Sequence, residues 1–250
     1  MKEKKNLTIK ETFVLAVQNQ QKNNLQVAED FYKKILKKNS NHFGSIFYLG
    51  TLLMQTQKFE LAKPLLQKAI QINPNYAPAH NNLGAALKKL GEYQKAINYC
   101  QKAIQIQSNL GSAHINLGLI FQELGKYQKA IDCYKKLSQI KPNSANAHQN
   151  LGKLYMVLGD IQRAISSYQD ALKCEPKNLV YYYHLIELKN EILDLKLRNK
   201  IDRILNDSNC TKLNLAYGNF LLSQYARKNK NYEKEFNYLL KGHQYYFESE

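Results

Sequence analysis

Leu49-Gly50, Leu83-Gly84, Leu117-Gly118 and Leu151-Gly152 recur every 34 residues, and nothing else in the chain restricts its fold as strongly. Ala62, Ala96, Ala130 and Ala164 keep the same spacing, as do Pro74, Ser108, Pro142 and Pro176. Three kinds of residue locked to one period predict a stack of identical small units, each burying its apolar face against its neighbours.

Each period holds two amphipathic stretches. Residues 77–90 place Leu83, Leu87 and Leu90 on one stripe, and residues 93–106 place Ala96, Ile97, Cys100, Ala103 and Ile104 on another. Gaps of three and four are those of a helix with one buried face. Gly91, Gly125 and Gly159 stand where the first helix must stop, because glycine takes the left-handed conformation without penalty. Asn73-Pro74 and Lys141-Pro142 close the unit, since proline disfavours helix in the residue before it. Pro64 falls inside a second helix and predicts a late start or a kink there.

The pattern resembles the tetratricopeptide repeat (TPR), whose eight landmarks are a bulky residue, Leu, Gly/Ala, a bulky residue, Ala, an aromatic, Ala and Pro. Residues 111–144 match with His114, Leu117, Gly118, Phe121, Ala130, Tyr134, Leu137 and Pro142. Residues 43–76, 77–110 and 145–178 match as well, and 9–42 more weakly through Leu15, Ala16, Ala28, Tyr32 and Ile35. The resemblance implies an all-α, right-handed α-solenoid with five TPR helix-turn-helix repeats over 9–178. Residues 179–250 are expected to be an irregular helical section. They leave the register and hold one degraded repeat, where Tyr232-Glu233-Lys234-Glu235 stands for Tyr93-Gln94-Lys95-Ala96.

Asn82, Asn116 and Asn150 form a ladder one residue before each Leu-Gly. In TPR arrays this position faces the concave groove. Asparagine both donates and accepts, so it can hold a peptide backbone without reading side chains. The ladder looks like that of the O-linked N-acetylglucosamine transferases. Asn81, Lys88, Lys89, Gln122, Gln149 and Lys153 are its expected groove neighbours, with Ala85, Ile115, Leu119 and Met156 adding apolar surface. The lysines are expected to favour an acidic segment. Pairs such as Asn81/Ala85 and Gln149/Lys153 do not match the Lys and Asn with which some TPR domains hold a chaperone's terminal carboxylate.

His80, His114 and His148 also recur at 34. Metal ligation needs side chains meeting at about 2 Å from one ion. Equivalent positions of stacked helices lie roughly 10 Å apart, so these histidines are read as packing residues. Cys100, Cys133, Cys174 and Cys210 lack any CxxC spacing and read as buried reduced thiols. No phosphate loop, GxSxG or HExxH is present, so catalytic residues, metal and cofactor are all expected to be none.

The net charge of +16 raises nucleic acid as a partner. However, the lysines, among them Lys33, Lys37, Lys68, Lys102 and Lys136, are spread over outer helix faces. The expected partner is therefore a protein or extended peptide of acidic character rather than nucleic acid or membrane. The N-terminus lacks an apolar signal core, and no stretch would span a bilayer, so a cytoplasmic location is expected.

The apolar stretches 181–188, 214–225 and 231–247 predict either an atypical cap, self-association through the C-terminal helices, or a further domain. Leu215-Ala216-Tyr217-Gly218 and Asn231 through Gly242 are similar to the segment that joins TPR arrays to the catalytic domain in bacterial sulfotransferase fusions. That resemblance implies a recognition arm for a sulfotransferase, or less readily a glycosyltransferase. It implies no transferase activity here, because the GxPRSGT-like loop is absent. The leading expectation is a non-catalytic, protein-binding scaffold.

Overall fold

The structure, a computed structural model, describes residues 7–191 and 193–249. Residues 1–6 of the N-terminal stretch expected to lack a signal core lie outside the described residues. Among those described there are helices and turns and no strand. The first helices of successive hairpins are α1 (Ile9–Gln21), α3 (Phe43–Gln55), α5 (Ala77–Lys89), α7 (Gly111–Glu123) and α9 (Ala145–Val157). Their second helices are α2 (Leu25–Lys38), α4 (Phe59–Ile72), α6 (Tyr93–Ile106), α8 (Tyr127–Ile140) and α10 (Ile161–Cys174). Then follow α11 (Leu179–Lys189), α12 (Leu195–Leu205), α13 (Lys212–Lys228) and α14 (Tyr232–Phe247). No helix among the described residues is long and apolar enough to cross a membrane.

Contacts divide the chain into two compact units that meet in sequence between Lys136 and Leu137. In the first, α1, α3, α5 and α7 lie side by side, and α2, α4 and α6 each pack between two of them. In the second, α9 packs on α10, α10 on α11, and α13 on α11, α12 and α14. The short turns make hairpin partners antiparallel.

The small residues of the period sit where two helices touch. A Cβ built on Gly84 would lie 2.5 Å from Cys100 Sγ, on Gly118 2.7 Å from the Tyr134 ring, and on Gly152 2.9 Å from the Tyr168 ring. Each glycine thus faces the side chain sixteen positions later, and Tyr134 and Tyr168 are fully buried against it. Burial pushes the Cys100 thiol up to about 12 and the Cys133 thiol up to about 11. Cys174 and Cys210 correct the expectation of four buried thiols, because both are partly exposed. Cys174 ends α10 at the edge of the core around Tyr168, Ala171 and Val180, and Cys210, in the loop before α13, flanks the core around Leu179 and Leu221, so each keeps one side open to solvent.

The predicted helix stops are left-handed: φ is +75° at Gly91, +67° at Gly125 and +73° at Gly159. The same register puts Gln57 at φ 59° and Asn23 at 61°, where a side chain makes that conformation costly. Gln57 is exposed, so Gln57→Gly should stabilise the chain by about 1 kcal/mol. Urea unfolding of the two proteins side by side checks this.

Three expectations need correction. α4 starts at Phe59, in register with α6, α8 and α10, and runs through Pro64. The start is therefore not late: packing of Ala62 and Leu66, both fully buried, sets it. The register also survives beyond residue 178, since α11 and α12 start 34 residues after α9 and α10. The landmarks change there, Ile186, Arg198, Asp202 and Cys210 standing where Gly152, Ala164, Tyr168 and Pro176 stand one period earlier, and the period of helix starts ends at α13.

Finally, the histidines do more than pack. His80, His114 and His148 donate from Nε2 to the carbonyls of Pro74, Ser108 and Pro142 at 2.8, 3.0 and 3.1 Å. A carbonyl only accepts, so each ring carries its proton on Nε2. Tyr182 continues the series onto Pro176 O at 3.2 Å, and Lys68 reaches Ser40 O at 2.7 Å. Every closing loop of the period thereby has one carbonyl held by a side chain, a contact worth about 1 kcal/mol.

Candidate ligand-binding face

In the first unit, α3, α5 and α7 present adjoining faces whose centre is a set of side-chain amides. Asn81 is buried, and its Nδ2 donates to Ser112 Oγ on α7 at 3.3 Å. Its Oδ1 accepts from Asn116 Nδ2 at 2.9 Å. Asn82 donates to Thr51 Oγ1 on α3 at 3.2 Å, and Thr51 donates to Phe47 O at 2.9 Å. The amides therefore tie three successive first helices together, which fixes their rotamers.

This geometry separates the expected site residues by role. Asn81 spends both ends of its amide inside the protein and is a positioning residue. Asn82 and Asn116 are half-buried, and each is held by its Nδ2. Asn116 Oδ1 accepts no hydrogen bond among the described residues. Gln122, two turns along α7, has a buried Oε1 without a partner. Asn116 Oδ1 is thus an acceptor that a ligand N–H can satisfy, whereas Gln122 Oε1 is closed off from the surface, and leaving it unmet costs about 1–3 kcal/mol.

The lysines differ from one another. Lys88 is only 10% exposed, and its Nζ lies 3.4 Å from Glu123 Oε1, so its charge is already matched. Lys89 is exposed. Thr51, Ser112 and Glu123 complete this face and were not singled out from the sequence. They stand 31 to 35 residues from their partners, one period displaced by a few positions.

In the second unit, Asn150 donates to Asn146 Oδ1 at 2.6 Å, one turn back on the same helix. It does not repeat the inter-helix bonds of Asn82 and Asn116. Gln149 is half-buried and Lys153 exposed. His184 stacks on Tyr168 with centroids 4.7 Å apart. Burial, helped by the charge of Lys153, pushes its imidazole down to about 4, so it is neutral near pH 7.

A family model described as tetratricopeptide repeat matches residues 75–143 and 111–174, and a second, described as TPR repeat, matches 50–91. Among solved structures, one of MamA is 30% identical over 65% of this chain and 95% of its own, with a TM-score of 0.59. YrrB, described as a TPR protein with an unusual peptide-binding site, is 21% identical over 69% of this chain and 89% of its own, with a TM-score of 0.56. A tetratricopeptide repeat protein from Parabacteroides merdae is 17% identical and covers 94% of this chain and 92% of its own, with a TM-score of 0.66. No curated protein matches. With an all-α architecture, helix starts on a 34-residue period and a 30% identical relative matched over nearly its whole length, the chain belongs to the tetratricopeptide repeat family.

Proposed function

We propose that the chain is a non-catalytic scaffold that binds an extended protein segment along the asparagine-bearing faces of its first helices. The observation that carries this reading is the fixed amide row of Asn81, Asn82 and Asn116, with an open acceptor at Asn116 Oδ1. Oxygens held in place lose little freedom when they accept a backbone N–H. YrrB, which shares the fold, supports the reading to the extent that this architecture can carry a peptide-binding site.

Alanine at Asn82 and Asn116 together should weaken an extended peptide, selected on the intact chain, about tenfold, or about 1.4 kcal/mol. The helical circular dichroism signal should be kept. Unchanged affinity would remove the amide row from the mechanism.

A second reading has its own observation. Tyr232, Phe236 and Leu240 recur at every fourth position of α14 and are 67, 67 and 59% exposed. Such a stripe supports self-association, which a concentration-dependent mass would reveal. It equally suits an attached domain, as in the sulfotransferase-arm reading.

A further inference from the structure

The sequence spreads its lysines widely, yet α12 concentrates cations. Lys196, Lys200 and Arg203 follow one another at intervals of four and three, which places all three on one stripe of the helix. All are exposed. With Tyr182, Asp194 and Asn199 they line an open cleft of about 620 Å³ where α11 and α12 adjoin.

The charges in this cleft are unbalanced. Arg198, on another side of α12, is engaged, with Asp202 3.6 Å away and the Tyr225 ring centroid at 5.3 Å. Lys196, Lys200 and Arg203 have no acidic partner among the described residues. Lys200 donates to the Tyr182 hydroxyl, which donates to Pro176 O at 3.2 Å. That chain of bonds fixes the ammonium at the cleft wall without neutralising it. Asp194, the one carboxylate in the lining, accepts from Leu197 N at 2.6 Å and caps the start of α12. Three like charges within two helical turns repel one another, and an anion would relieve them.

We propose that this cleft is a second binding site, apart from the amide row, and that it takes an acidic peptide segment. The three cations span about 10 Å along the helix. Carboxylates on alternate residues of an extended segment span about 13 Å for three, within side-chain reach of all the cations. Nucleic acid fits less well: it needs a longer basic track with aromatic platforms for the bases, and Tyr182 is the sole aromatic side chain in the lining. The site also relocates acid recognition, because Lys88 on the amide face is already paired with Glu123.

Fluorescence anisotropy with the full chain and a labelled peptide of alternating Glu and Ser tests this. K196Q/K200Q/R203Q should weaken binding about tenfold, as expected for three exposed charge pairs, and R203Q alone by a smaller factor. Circular dichroism should show both variants folded. K34Q/K37Q/K38Q on α2 removes as much charge elsewhere and should change affinity less than about twofold. Alanine at Asn82 and Asn116 should leave the loss caused by K196Q/K200Q/R203Q unchanged, because the two sites act independently. The proposal is overturned by absence of binding to the parent chain, by an equal loss in the α2 variant, or by tighter binding of a single-stranded oligonucleotide of equal charge.

Discussion

Gly84→Leu is expected to destabilise the chain by about 3 kcal/mol and to open the α5–α6 hairpin. Even a Cβ at this position meets Cys100 Sγ at 2.5 Å, Ala96 O at 3.1 Å and Cys100 N at 3.3 Å. Two of those three atoms are backbone of the facing helix and cannot swing aside, so the helices must separate. Gly50 provides the contrast. Its nearest neighbours are Leu66 Cδ2 and Cγ, both at 3.1 Å, and a leucine side chain can yield by a few tenths of an ångström. Gly50→Ala should therefore cost clearly less than Gly84→Ala. Because α5 also carries Asn81 and Asn82, the amide row should lose its geometry together with the hairpin. Urea unfolding followed by circular dichroism measures the first effect. A Gly84→Leu protein as stable as the parent would contradict the packing described here.

Tyr168→Ala should cost about 4 kcal/mol, the loss typical of a fully buried aromatic side chain. Tyr168 is 0% exposed and fills the space that Gly152 leaves. Its ring stacks on His184 and lies 6.4 Å from that of Tyr181. Its hydroxyl reaches only Met156 Sδ, at 3.3 Å, which is a weak acceptor. Tyr168→Phe should thus stay within about 1 kcal/mol of the parent. The alanine variant has a second signature at His184. Burial is the main cause of its lowered pKa, so opening a cavity beside it should let water in and move the imidazole upward from about 4. Histidine titration by NMR reads this directly. A destabilised variant in which His184 does not move would mean that the stacked ring is not what keeps it dry.

The packing elements were legible because their cause is local. A glycine, an alanine and a proline at fixed offsets act through size and backbone conformation, and both can be read residue by residue. The same locality misled at Pro64, where one residue's helix-breaking preference is outweighed by the buried Ala62 and Leu66 around it. It misled again just after residue 178, where Ile186 and Arg198 replace the small residues while the starts of α11 and α12 hold the period. The candidate face was half legible. The asparagine ladder was visible, but the roles of its members depend on partners 31 to 35 residues away, set by how first helices abut. Asn81 becomes a positioning residue and Lys88 a paired one only through Ser112, Asn116 and Glu123. The loop-holding role of the histidines was hidden because the carbonyl they reach belongs to the backbone and leaves no mark in the sequence.

The central claim is that an extended segment lies on the first-helix faces and is held through its backbone. Side-chain amide NMR signals, recorded as a selected peptide is titrated into the intact chain, test this most directly. The account predicts shifts at Asn82, Asn116 and Gln122, with the same signals moving when the peptide's side chains are scrambled and its backbone retained. Shifts confined to the second helices, with those three amides unmoved at saturation, would contradict it.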